Sequence, residues 1–157
     1  MPQLARVTEV ESEAMTVLES ARDEVFEDGT HSSLSRGLLA LIRDNGAVAV
    51  EVLANLIVGR RVDDEAASET LRFMGRVRHL PTHSLRLWLL ERCLNHPSAP
   101  VRDGALLGIA SLRDPRAAPH LRAAMVREPI PGLREDMEQT LEFLENPDHV
   151  SSPENSS

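Results

Sequence analysis

The chain contains one cysteine, Cys93, no tyrosine and no lysine, and its aromatic residues are Phe26, Phe73, Trp88 and Phe143. A single thiol cannot form an internal disulfide and is not by itself a metal site. With so few aromatics, Ala, Leu, Val and Ile must fill the core, which suits thin, closely stacked helices better than a β-sandwich. No run of 18 apolar residues occurs, so no helix spanning a membrane is expected. Met1 to Glu13 carries no apolar stretch of the signal-peptide kind, and the chain reads as cytoplasmic. Gly-x-Ser-x-Gly, phosphate-loop and dinucleotide fingerprints are also missing.

All seventeen basic residues are Arg. A GC-rich genome explains the absence of lysine, but not where the arginines fall. Residues 1–30 carry a net charge of −6, residues 31–128 of +4 and residues 129–157 of −6, which together give the net −8 of the chain. An Arg-bearing middle is a feature that an anionic partner would use.

Apolar positions then give the elements. Val7, Val10, Ala14, Val17, Leu18, Ala21 and Val25 recur at helical spacing up to Gly29, predicting an acidic amphipathic helix within residues 1–30 that caps one end of the domain. Further helices are expected from Ser32 or Ser33 to about Asp44, over Ala47–Val58 closed by Gly59, over Asp64–Val77 capped by Asp63, and over His83–Asn95 after the Pro81-Thr82 break. Three more follow: one from Pro97-Ser98 through Leu112, one over Pro115–Arg127 bent slightly at Pro119, and one over Gly132–Glu145. Residues 146–157, rich in Ser, Pro and acids, are expected to be a disordered tail. The fold class is therefore all-α, with about eight helices in a single domain over residues 1–145. Ile109 is expected in its core.

The helices repeat. Moved back by 35 residues, Leu106, Ile109 and Leu112 fall on Leu71, Met74 and Val77; moved forward by 32, Val101-Arg102 falls on Leu133-Arg134 and Ile109 on Leu141. Pro115 lies 34 residues beyond Pro81, and Leu121 lies 34 beyond Leu87. In Val101–Leu121, Val101-Arg102 opens a helix, Ala105 follows, and Asp114-Pro115 turns into a partner helix. This pattern resembles the HEAT-repeat family, over about Leu34–Leu144 and most clearly in Val101–Leu121 and Leu133–Leu144. The resemblance implies an α-α superhelix, a solenoid of antiparallel helical hairpins. It also implies a ladder between repeats built from Arg102, Asp114 and Arg134. Its functional implication is a non-catalytic adaptor or scaffold that binds a protein on the groove of its second helices. A variant is an antitoxin or immunity-type protein whose acidic ends neutralise a basic partner.

Other classes find less in the sequence. HEAT-like di-iron hydroxylases carry His-Glu pairs, and this chain has no His-Glu dipeptide. His79 and His83 have metal-ligand spacing but straddle Pro81, and no metal or cofactor site is expected. Cys93 shares an apolar arc with Leu85 and Leu89, as a small buried hydrophobe would. Asp63-Asp64 and Glu135-Asp136 read as helix-start acids that complement the dipole. HEAT-like glycosylases bind nucleic acid through a basic groove with stacking aromatics; the Arg-rich middle supplies the first but little of the second, so nucleic acid is the alternative partner. A bilin lyase-like enzyme or chaperone is a further alternative, resting on fold alone. Self-association is compatible with all of these. At about 100° per residue, Trp88, Glu91, Arg92 and Asn95 face away from the apolar arc of their helix, with Arg86 the one charge inside that arc, expected to snorkel or to pair with an acid. Glu51 and Asn55 on the preceding second helix and Arg116, His120 and Arg127 on the following one extend this polar stripe. The candidate partner-binding residues are therefore Glu51, Asn55, Trp88, Arg92, Arg116, His120 and Arg127.

Overall fold

The computed structural model describes residues 2–20 and 33–146. Among these residues there are eight α-helices, two short 3-10 turns and no strand. The helices are α1 (Pro2–Ser20), α2 (Ser33–Asn45), α3 (Ala47–Val58), α4 (Asp64–Arg76), α5 (His83–Cys93), α6 (Ala99–Leu112), α7 (Ala118–Arg127) and α8 (Pro131–Glu145). The all-helical reading holds. The expected tail beyond Asn146 and the segment leading to Gly29 lie outside the described residues.

Local chemistry sets the boundaries. Gly46, at φ 55°, breaks α2 from α3 in a conformation that side chains rarely adopt. After α3 the left-handed residue is Arg60 (φ 57°), while the expected stop, Gly59, remains right-handed. Asp63 caps α4 by accepting the amide of Ala66 at 2.8 Å. Two prolines 34 residues apart do the same work: Pro81 lies in the turn Leu80–Thr82 and Pro115 opens the turn Pro115–Ala117, each leading directly into a helix. Asp114 caps the second turn by accepting the amide of Arg116 at 2.9 Å. Pro119 therefore does not bend a long helix; it stands in the first turn of α7, where its missing N–H needs no partner. Glu135 and Asp136 lie past the first turn of α8, on its exposed face, so they are not the helix-start acids expected.

One apolar core runs from Val10 of α1 to Leu144 of α8. Ile109, Leu71, Met74 and Met137 within it are fully buried. Helix α1 packs on α2 and α3, with Val10, Ala14 and Leu18 inward and Glu9, Glu13 and Glu19 exposed. Beyond it, helices pack on their second neighbours: α2 on α4, α4 on α6, α6 on α8, and α3 on α5.

The tightest of these pairings is α4 with α6, and glycine makes it. A Cβ on Gly75 would stand 2.0 Å from the Gly108 carbonyl oxygen; one on Gly104 would stand 2.6 Å from that of Ser68. The two backbones are thus in direct contact, and no residue larger than glycine fits at the crossing.

Candidate functional site

The polar faces of α5 and α7 border an open groove of about 480 Å³, lined by Val58, Trp88, Glu91, Arg92, Asn95 and His120 among others. Trp88 is 46% exposed, whereas Leu87, Leu89, Leu90 and Cys93 on the other face of α5 are buried. The guanidinium of Arg92, one turn further on, lies 5.9 Å from the centre of the Trp88 ring. That is cation–π range, and it orders the indole without covering it.

The floor of the groove is not purely basic. Glu91 faces His120 across the groove, with Nε2 3.6 Å from Oε2. Burial pushes the Glu91 carboxyl above its usual range, with His120 opposing the shift. Cys93 also borders this groove, but burial pushes its thiol up to about 12, so at neutral pH it is a protonated apolar group and not a thiolate.

The other expected residues surround this centre unequally. Arg116 is exposed but committed: its Nε and Nη2 donate to the two Asp114 oxygens, the latter at 2.7 Å. His83 Nε2 reaches the same carboxylate at 2.8 Å. The Arg116 hydrogen bond is the main cause holding the Asp114 carboxyl far below the ordinary range, with His83 adding to it. Arg127 is exposed and lines a neighbouring cleft with Arg102 and Glu128, joined to the first through Asn95, His96 and Pro97. Glu51 and Asn55 are exposed on α3, yet α3 contributes Val58, not these two, to the lining around Trp88.

Two expectations are corrected here. Arg86 neither snorkels nor pairs with an acid. It is 1% exposed, and it donates to the Met74 carbonyl at 2.6 Å, the His79 carbonyl at 2.9 Å and the Thr82 hydroxyl at 3.0 Å. Those carbonyls lie at and beyond the C-terminal end of α4, where the helix dipole favours a cation. Of the ladder candidates Arg102, Asp114 and Arg134, none binds another: Arg102 holds Glu128 through both oxygens at 2.7 and 3.0 Å, and Asp114 holds Arg116 and His83. Arg102 also donates to the carbonyl six residues before it, His96, and Arg134 does the same to Glu128, so the two arginines 32 residues apart play one role.

The histidines have structural partners. His79 Nδ1 lies 3.0 Å from the Thr82 hydroxyl, while His83 turns to Asp114. His96 Nδ1 accepts the Ser98 amide, which leaves its Nε2 as donor to the Ile57 carbonyl at 3.3 Å. Among the described residues no group of three or more His, Cys, Asp or Glu side chains is placed to hold a metal ion, and no helix is long and apolar enough to cross a membrane. Sequence spacing could not reveal the partnership of Arg102 with Glu128, which joins α6 to the end of α7, nor the meeting of Glu91 with His120, which joins α5 to α7.

Comparison with protein-family models, with curated proteins and with solved structures finds no match for this chain.

Proposed function

We propose that this protein is a HEAT-like helical solenoid and acts as a non-catalytic adaptor that binds a protein partner along the groove of its second helices. Support for the solenoid comes from bonds that recur at about one repeat. Ser98 donates to Asp64 at 2.8 Å across 34 residues, His83 meets Asp114 across 31, and Arg102 and Arg134 bind equivalent carbonyls. The second-neighbour packing of α2, α4, α6 and α8 is the pattern that stacked hairpins produce. In this reading α1 and α8 close the ends with their acidic outer faces.

The observation that carries the binding function is Trp88. It is the only tryptophan, it is nearly half exposed, and it is held by Arg92 at the middle of an open groove. A large indole left in water is a cost unless something covers it, and Trp with Arg is the pairing that most often dominates binding energy at protein interfaces. Arg127 on the adjoining cleft supplies a cation with no carboxylate partner among the described residues. Arg116 would meet a partner as half of an ion pair with Asp114.

The test is loss of the complex without loss of the fold. Trp88→Ala and Arg127→Glu should each weaken the co-purified complex at least tenfold while the far-UV circular dichroism stays unchanged. Unaltered binding in both variants would refute the groove as the site.

A further inference from the structure

A second cleft, of about 1070 Å³, opens where α4 and α6 end and the chain turns into α5. Its lining includes Arg76, Arg78, Arg113, His79 and Leu80, and Arg86 lies at its base; no carboxylate of the described residues lines it. Elsewhere Arg61, Arg72, Arg102, Arg116 and Arg122 each have an acid of their own. In the cleft, Arg76 and Arg78 have no hydrogen bond or ion pair among the described residues. Arg113 rests its guanidinium over the Phe143 ring, 5.4 Å from the centre, and no carboxylate of the described residues pairs with it. Leu80, 86% exposed, stands among these cations.

We propose that this cleft is a docking site for an acidic peptide segment of a partner protein, one with an apolar side chain flanked by carboxylates. The three guanidinia offer the planar, paired donors that fit carboxylates, and Leu80 with Val77 and Pro81 offers the apolar contact between them. A nucleic acid fits less well. No Phe, Tyr or Trp lines the cleft for bases to stack on, and its two imidazoles are engaged, His79 with Thr82 and His83 with Asp114; beyond Arg113 the exposed face of α8 carries Glu135, Glu138, Glu142 and Glu145, which repel an extended polyanion. This surface is separate from the Trp88 groove, so either can fail without the other.

The experiment uses the full chain, isotope-labelled, titrated with a synthetic peptide of alternating Asp, Leu and Glu. Parallel arms use the same peptide with Asn and Gln for its acids, and a short DNA duplex. Amide shifts are expected at Arg76–Leu80 and Ser111–Arg113, for the acidic peptide only. They should vanish at about 1 M salt, where the screening length is about 3 Å. R76E/R78E should weaken the peptide at least tenfold, and Leu80→Ala about threefold. Arg43→Glu, a single reversal of the same kind on the exposed face of α2, should stay within about twofold of the wild type. Equal shifts with the neutral peptide, an equal loss in Arg43→Glu, or tighter DNA binding at the same residues would each overturn the proposal. If R76E/R78E alters the fold, the salt series and the neutral peptide still decide.

Discussion

Replacing Gly75 with Ala tests the closest contact in the fold. The new Cβ would stand 2.0 Å from the Gly108 carbonyl oxygen, so α4 and α6 must separate by about 1.4 Å to reach the 3.4 Å at which such contacts become ordinary. The obstacle is backbone on a helix, so no side chain can rotate away. Separation on that scale opens the seam between Leu71 and Met74 on one helix and Ala105 and Ile109 on the other, where a gap of even 0.5–1 Å forfeits about a quarter to a half of each contact. Overpacking of this kind costs about 1–3 kcal/mol and more when nothing yields, and the gain in helix propensity returns only about 1 kcal/mol. We expect a net loss of about 2 kcal/mol, or a fall in Tm of about 4–8 °C for a domain of this size. Gly132→Ala, on exposed α8 with nothing within 4 Å of the new atom, should instead be neutral or stabilise by about 0.5 kcal/mol. Both are read by urea and thermal unfolding followed by circular dichroism. A Gly75→Ala protein within about 0.5 kcal/mol of wild type, the range of surface changes, would refute the backbone contact.

Ile109→Ala should cost about 2–5 kcal/mol in urea unfolding, because Ile109 is fully buried between helices. Arg86→Met keeps most of the volume but abandons the Met74 and His79 carbonyls and the Thr82 hydroxyl, and should cost about 3 kcal/mol by the same assay. Asp114 has a folded-state pKa depressed by Arg116 and His83, so its contribution is complete above its unfolded pKa of about 4 and is lost as pH falls below that. Asp114→Asn should therefore destabilise at pH 7, and the gap to wild type should close on acidification; a gap that widens in acid would contradict the pairing.

Helix content was legible because it depends on local signals. Asp63, Gly46 and the prolines at 81, 115 and 131 mark boundaries that chain stereochemistry alone dictates, and the apolar stripes gave the inward faces of α4, α5 and α6. The exposed position of Trp88 followed from the same periodicity. What was not legible depends on the distance between helices far apart in sequence. Nothing local distinguishes Gly75 and Gly108 from ordinary helix-weakening glycines until their helices cross. Arg86 was misread because its partners include backbone carbonyls, which have no sequence signature, and the ladder residues Arg102 and Asp114 each found other partners, Glu128 for the first and Arg116 with His83 for the second. Glu51 and Asn55 are exposed on α3, yet of that helix only Val58, its last residue, borders the groove.

The groove itself is tested most directly by placing a photoreactive residue at Asn95, which lines it beside Trp88, and another at Gln139 on the exposed face of α8. Irradiation in the native cell followed by mass spectrometry should give one discrete protein adduct from position 95 and none of the same mass from position 139. The adduct should disappear when Trp88→Ala is added. No adduct at position 95, the same adduct at both positions, or an adduct that survives Trp88→Ala would contradict a protein-binding groove centred on Trp88.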